Sequence, residues 1–361
     1  MSGNGNQTVT TQRRLLRLID AVRGRRTSLV QVHNNPDPDS IGSAVAMRDL
    51  YQRYLGIDSR IVFGGIVGRT ENRMMLRLLQ IEIVPATKVD YAKCDLLTLV
   101  DTQPGAGHTS LPPGRGAEVV IDHHPARDAP ENVLYWDVGR NVGATSTIVA
   151  NFFLENGVPL RRTVATALMY GIKSDTHDLS DEATPADIAA YQSLFSYGDL
   201  GLLAQIEKAR VPRTYFRIFQ RAIETAQIFD FAIVSHLGSI DNPDMVAEMA
   251  DFLLRCEDVR WTMVTGIYRN TLHLSLRCAD GNSHAGRIAR RAVGVMGTAG
   301  GHGRMAGGQI PLGESDRSTR ANVVQAVSDM FLEAVKAKRT LMQPLANRDD
   351  LEDTDTSGEI E

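Results

Sequence analysis

The run His33-Asn34-Asn35-Pro36-Asp37-Pro38-Asp39-Ser40-Ile41-Gly42-Ser43 places one imidazole and two carboxylates close together in the chain. Its prolines exclude a helix through His33 and Asp37. Pro38 also fixes the backbone between Asp37 and Asp39, so the two acids can be aimed at different targets with little loss of entropy. Gly42, with a helix beginning nearby, offers close backbone approach and a dipole that favours an anion. Asn, Pro and Asp also dominate ordinary turns, so the run alone suits a capping loop as well as it suits chemistry. A second acid, Asp101, follows the apolar run Leu96–Val100, and Asp122, His123 and His124 follow another at 119–121. Carboxylate and imidazole without thiolate form a hard to borderline ligand set, suited to manganese or magnesium more than to structural zinc. Crowded carboxylates repel one another, and a pair of divalent ions would remove that repulsion and activate a water for in-line attack on phosphorus.

These residues need a scaffold that brings them together. The first half of the chain alternates short apolar runs with longer amphipathic stretches, the pattern of βα units and a largely parallel sheet. Strands are expected at 28–32, 60–63, 96–100 and 119–121, and helices at 41–54, 70–79, 144–154 and 162–172. Thr184, Pro185 and Asp187 supply an N-cap, a first-turn proline and an N3 acid for a further helix. In an open parallel sheet the functional crevice lies outside the carboxyl ends of the strands. Three strands in succession therefore deliver acids and imidazoles to one edge.

The charged stretch 205–228 reads as a connecting helix. Beyond it, strands are expected near 230–236, 261–268 and 271–277, the last two joined by Arg269 and Asn270 in a tight hairpin. A helix at 283–296, a glycine-rich loop at 297–308, a closing strand at 309–312 and a helix at 318–341 complete the pattern. A period of two in 271–277 sets Leu272, Leu274 and Leu276 on one face, with His273, Ser275 and Arg277 on the other. The expected fold class is α/β, with a mostly parallel doubly wound sheet in a large domain and a mixed sheet in a smaller one.

The sequence resembles the DHH phosphoesterase family, named for the triplet found here as Asp122-His123-His124. Four motifs of the family stand in order: residues 33–43, Asp101, residues 122–124, and Gly171-Ile172-Lys173-Ser174-Asp175-Thr176. The resemblance covers roughly residues 25–313 and implies two divalent ions, manganese foremost, with magnesium or cobalt as alternatives. By it, His33, Asp37 and Asp101 hold one ion, while Asp39, Asp101, His123 and Asp175 hold the other, with Asp101 as the bridge. His124 is implied to contact the scissile phosphate as proton donor or charge stabiliser, and Asp122 to orient the histidines. The family often continues as Asp-Thr-Gly, whereas His177 follows here, either as an extra polar group or as a surface histidine.

A glycine-rich stretch, Gly300-Gly301-His302-Gly303-Arg304-Met305-Ala306-Gly307-Gly308, can expose backbone N–H groups to an anion. It resembles the Gly-Gly-Gly-His-x-x-Ala-Ala-Gly signature of the DHH-associated substrate-binding domain of nano-RNases, with departures at Ala299 and Met305. By that resemblance, Arg277, Gly301, His302 and Gly303 grip a non-reacting phosphate or base. Arg287, Arg290, Arg291 and Arg304 either extend a basic wall or form the solvated side of a helix.

Composition bounds the rest. A length of 361 residues sets a prior of about two domains. The formal charge of −4 argues against a strongly basic nucleic-acid binder, yet the last fifteen residues hold seven acids against Arg348, so the remainder is mildly basic. Three scattered cysteines suit a reducing compartment better than a disulfide framework. With no signal-like N-terminus and no apolar run of about 18 residues, a cytoplasmic protein is expected. The expected organisation is an N-terminal segment (1–24), a catalytic domain (25–204), a helical linker (205–228), a substrate-binding domain (229–316), a C-terminal helix (317–345) and an acidic disordered tail (346–361). The expected activity is hydrolysis of short linear oligoribonucleotides or dinucleotides, extending to 3′,5′-bisphosphonucleosides. A cyclic dinucleotide phosphodiesterase is the main alternative; a pyrophosphatase or a non-catalytic nucleotide-binding module ranks lower. The expected partner is a small nucleotide or short RNA, without long duplex or membrane, and a homodimer stays open.

Overall fold

A computed structural model describes residues 4–180, 182–280 and 284–346. Nearly all of the acidic tail, and Ser283 at the expected start of a helix, lie outside the described residues. Contacts divide the chain into two compact units, 1–210 and 211–361.

The first unit opens on helix α1 (Asn4–Ala21), which the polar N-terminal text does not announce, and whose Leu15 and Leu18 are buried in the core. Then follow β1 (Thr27–Gln31), α2 (Pro38–Tyr54), β2 (Asp58–Phe63), α3 (Thr70–Leu78), β3 (Ile83–Pro85), β4 (Leu96–Val100), β5 (Val119–Asp122) and β6 (Tyr135–Val138). Helices α4 (Thr145–Leu154), α5 (Arg162–Asp175), α6 (Pro185–Leu194) and α7 (Leu200–Glu207) complete it. All six strands are parallel, in the order β3-β2-β1-β4-β5-β6. The strand order reverses between β1 and β4, and that switch point is where an open α/β sheet forms its crevice. The helices pack on one face of the sheet, against Val30, Ile61, Val100 and Ile121. The other face, with Leu29, Val62, Leu97 and Val120, is covered by the connections after β3, β4 and β5 through residues such as Tyr91, Leu111 and Val133. Short strands β3 and β6 escape a sequence reading because three or four residues carry no clear period.

Two helix limits matter for the site. Helix α2 begins at Pro38, not 41, because proline fits the first helical position and Asp37 caps it by accepting from Ser40 N–H (2.9 Å). Helix α5 runs on through Asp175, so the fourth motif forms its last turn instead of a following loop. At α6, Thr184 and Asp187 form a reciprocal capping box.

The second unit comprises α8 (Arg213–Thr225), β7 (Gln227–Phe229), β8 (Ala232–Ser239), α9 (Asp244–Leu253), β9 (Trp261–Tyr268), β10 (Thr271–Cys278), α10 (Ala285–Val293), β11 (Thr298–His302), β12 (Met305–Pro311), α11 (Arg317–Val335) and β13 (Met342–Pro344). The mixed sheet runs β11-β12-β10-β9-β8-β7-β13, with only the β8–β9 pair parallel among the described strands. Residues 205–228 are not one connecting helix. They hold the end of α7 and the whole of α8, separated around Pro212, and α8 packs through Tyr215, Phe219 and Ala222 against the second unit.

The stretch 297–308 is likewise not a loop. It forms the antiparallel β11–β12 ladder, and the strand expected at 309–312 begins at Met305. Helix α10 packs closely on this ladder through its own glycine: a Cβ on Gly286 would sit 2.0 Å from Gly301 O. Arg269 and Asn270 both take positive φ, as the tight β9–β10 hairpin requires. The face of β10 bearing Ser275 and Arg277 is buried beneath α9 instead of meeting solvent. Helix α11 ends at Val335, where Lys336 adopts φ +61°, six residues before the expected limit.

Candidate metal centre

Strand β1 delivers the loop 32–37, β4 delivers Asp101, and β5 delivers Asp122, His123 and His124, all at the carboxyl edge of the sheet. The last turn of α5 adds Asp175 and the first turn of α2 adds Asp39. His33 Nε2 lies 3.4 Å from Asp37 Oδ2 and 3.5 Å from Asp101 Oδ2. His123 Nε2 lies 3.3 Å from Asp175 Oδ2 and 3.7 Å from Asp101 Oδ1. Three overlapping groups therefore share one edge: His33, Asp37 and Asp101; Asp39, His123 and Asp175; and Asp101, Asp122, His123 and His124. Asp101 lies within reach of His33 and of His123. It takes φ +57°, a strained conformation that Asp tolerates better than most residues.

The imidazoles are oriented by backbone carbonyls. His33 Nδ1 pairs with Asn34 O (2.9 Å) and His123 Nδ1 with Val142 O (3.3 Å). A carbonyl at Nδ1 fixes the proton there and presents Nε2 as a donor of electrons, the usual preparation of a ligating histidine. His124 is turned the other way: its Nδ1 meets Asp122 Oδ1 at 2.8 Å.

Three further residues complete the arrangement, and the sequence reading assigned them no role. The amides of Thr145 and Ser146, at the start of α4, donate to the two oxygens of Asp39 (2.7 Å each). Thr145 Oγ1 donates to Asp101 Oδ1 at 2.9 Å. Buried Gln103 donates to Asp122 Oδ2 at 2.7 Å. The text Gly143-Ala144-Thr145-Ser146 before an apolar run signals a helix start, but nothing in it names a distant carboxylate as the partner. Gly42 has a different reason from the anion approach expected of it: a Cβ there would lie 2.7 Å from Ala167 O of α5. His177, at φ +47° where glycine is more at ease, pairs with Glu182 (3.1 Å). In the second unit the Arg277 guanidinium is held by Asp251 and by Ser275 Oγ (2.7 Å), and the Gly303 carbonyl accepts from Ala285 N–H (3.1 Å).

The electrostatics demand positive charge. Burial and the negative neighbours Asp101 and Asp175 hold the Asp39 carboxyl well above its ordinary value. Asp175 is pushed up to about 6 by burial together with Asp37 and Asp101, against the pull of His123. Burial opposes protonation of His33 and His123, yet their carboxylate neighbours outweigh it and raise both well above the ordinary imidazole value. Asp37 moves down despite burial, because His33 and the Ser40 amide favour its charged form. Among the described residues no lysine or arginine pairs with Asp37, Asp39, Asp101 or Asp175, and His123 Nε2 faces carboxylate oxygens of Asp175 (3.3 Å) and Asp101 (3.7 Å) without a well-aligned hydrogen bond. Crowded carboxylates with only two imidazoles to offset them are expensive to bury unless they hold a cation. The donor set therefore fits divalent metal.

Residues 27–172 match the DHH family, N-terminal domain, and residues 230–337 match the DHHA1 domain. The chain belongs to the DHH phosphoesterase family. An uncharacterized protein of Methanocaldococcus jannaschii is 33% identical over 318 residues, 86% of this chain and 63% of that protein. The chain thus spans less than two thirds of that relative. A probable manganese-dependent inorganic pyrophosphatase of Streptococcus pyogenes is 29% identical over 261 residues, 64% of this chain and 82% of the relative. The crystal structure of an exopolyphosphatase-related protein from Bacteroides fragilis shares the fold, with a TM-score of 0.70 at 14% identity, covering 90% of this chain and 98% of that one. In this DHH protein the eponymous triplet divides its work: His123 faces the carboxylates, and Asp122 engages His124.

Proposed function

We propose that this DHH protein is a manganese-dependent phosphodiesterase that cleaves short linear oligoribonucleotides or dinucleotides to mononucleotides, with 3′,5′-bisphosphonucleosides as further substrates. One observation carries the reading: the carboxylates of Asp37, Asp39, Asp101 and Asp175 converge with the imidazoles of His33 and His123 at the sheet's switch point, and among the described residues no lysine or arginine pairs with them. His33, Asp37 and Asp101 would hold one divalent ion, and Asp39, Asp101, His123 and Asp175 the other. Such ions supply an activated water and neutralise charge on the phosphoryl group. The protein's own part is positional. Thr145 and Ser146 keep Asp39 aimed, and Thr145 Oγ1 steadies Asp101. His124, its Nδ1 proton held by Asp122, presents Nε2 to donate a proton to the leaving oxygen or to stabilise charge on the phosphate. Arg277, Gly301, His302 and Gly303 are proposed to grip the non-reacting phosphate or base.

The test is a panel of pApA, cyclic di-AMP, 3′,5′-bisphosphoadenosine, a five-nucleotide RNA and pyrophosphate, each offered with manganese. Turnover of pApA and the short RNA is expected, with loss in Asp101→Ala and His124→Ala. Inorganic pyrophosphate is a second reading, favoured by the streptococcal relative; cleavage of pyrophosphate alone would establish it. Binding without turnover of any compound would leave a non-catalytic nucleotide-binding module. If Arg277→Ala leaves both KM and rate for pApA unchanged, the proposed grip fails.

A further inference from the structure

Gln103 lies two residues beyond Asp101, on the connection after β4, and is 2% exposed. A buried primary amide is costly unless each of its groups is paired, and here all are. Nε2 donates to Asp122 Oδ2 (2.7 Å) and to Pro125 O (3.2 Å), while Oε1 accepts from Arg127 N–H (2.9 Å). The Arg127 amide settles which end of the side chain is which, because the reversed amide would set donor against donor and oxygen against carboxylate. Asp122, 1% exposed, is divided between two partners: Oδ2 takes Gln103, and Oδ1 takes His124 Nδ1 (2.8 Å) and His124 N–H (3.2 Å).

We propose that Gln103 is a positioning residue that sets the orientation of the His124 imidazole through Asp122, and that it does so from the strand connection carrying Asp101. The inference rests on the assignment of His124 to the scissile phosphate. Without Gln103, the Asp122 carboxylate turns about its side-chain bond and no longer fixes the His124 tautomer. One amide thus ties the Asp101 connection to the loop on both sides of His124, linking the position of the proton donor to that of the shared carboxylate. The sequence motif stops at Asp122-His123-His124 and gives no hint of this partner.

Two variants separate orientation from simple loop stapling. Gln103→Met keeps the volume and removes every hydrogen bond; Gln103→Glu keeps an acceptor for Arg127 but turns like charge toward Asp122. Both are expected to lower kcat by about 10- to 100-fold, with KM and manganese affinity within about twofold of wild type. Adding Asp122→Asn to Gln103→Met should cost no more than about twofold further, because residues acting as one unit are not additive. Independently of activity, 15N imidazole spectra of the metal-free protein, recorded at a pH high enough for His124 to be neutral and assigned with His124→Gln, should show the remaining proton on Nδ1 in wild type and a tautomer mixture in Gln103→Met. Near-wild-type kcat in Gln103→Glu, a multiplicative double variant, or an unchanged His124 tautomer would overturn the proposal. If wild type hydrolyses nothing on the panel, the functional reading fails, and the spectra still decide whether Gln103 orients His124.

Discussion

Asp37 serves two masters. One oxygen caps α2 through Ser40 N–H, and the other faces His33. Asp37→Asn keeps a capping oxygen and loses the charge, whereas Asp37→Ala loses both. Manganese affinity should fall in both variants, but only Asp37→Ala should lose a further ~1 kcal/mol of stability in urea unfolding, the usual worth of an N-cap. Equal stabilities would show that the cap is not made. The shifted groups also predict a pH profile for the metal-free protein. His33, His123, Asp39 and Asp175 all hold protons to higher pH folded than unfolded. The folded state then binds more protons, so stability falls as pH rises. The imidazole contribution is complete below about 6.5 and is lost above it, while the Asp175 contribution is lost earlier, between about 4 and about 6. Asp37 and Asp122, shifted down, act only in acid, below the ordinary carboxylate value near about 4. With chelator, Tm should therefore fall as pH rises above about 6.5, and manganese should raise Tm and flatten the slope. A rise in chelated Tm over that range would contradict this account.

Among the elements, the crossing of α2 and α5 governs the site. Glycine in the middle of a helix ordinarily costs about 0.5–1 kcal/mol relative to alanine, so Gly42→Ala should stabilise α2 if nothing faced it. The backbone carbonyl of Ala167 does face it, 2.7 Å from the added Cβ. The sign should reverse, with a loss of about 1–3 kcal/mol from overpacking, read by denaturant unfolding. Manganese binding should weaken too, because Asp39 and Asp175 ride on these two helices. A stabilised Gly42→Ala would show that the helices part without cost.

For the whole molecule, two units each bury a core of their own, and the proposed metal ligands all belong to the first. Among the described residues no helix is long and apolar enough to cross a membrane. The second sheet closes where Met342–Pro344 pairs with Gln227–Phe229 and Leu345 N–H reaches Ala226 O (3.0 Å). Deleting residues 347–361 removes none of these contacts. Tm and pApA turnover at moderate salt should match those of the full chain, and a changed KM at low salt would reveal a role for the acidic segment.

That the proposed metal ligands share one edge of the sheet was legible in the amino-acid order because strand ends are. A buried parallel strand is a short apolar run, and the first polar residue after it must emerge at one edge, so Asp101 and Asp122-His123-His124 fall together whatever the details. The α/β class followed from the same alternation. Glycine was ambiguous: at 297–308 it suggested a loop, where the chain instead forms a β-ladder that α10 approaches through its own Gly286. What only the tertiary structure decided was the support around the ligands. Thr145, Ser146 and Gln103 reach Asp39, Asp101 and Asp122 from segments 19 to 107 residues away in the chain. A ligating side chain declares itself by its chemistry; a supporting one is an ordinary Thr, Ser or Gln until folding brings its donor to a buried carboxylate.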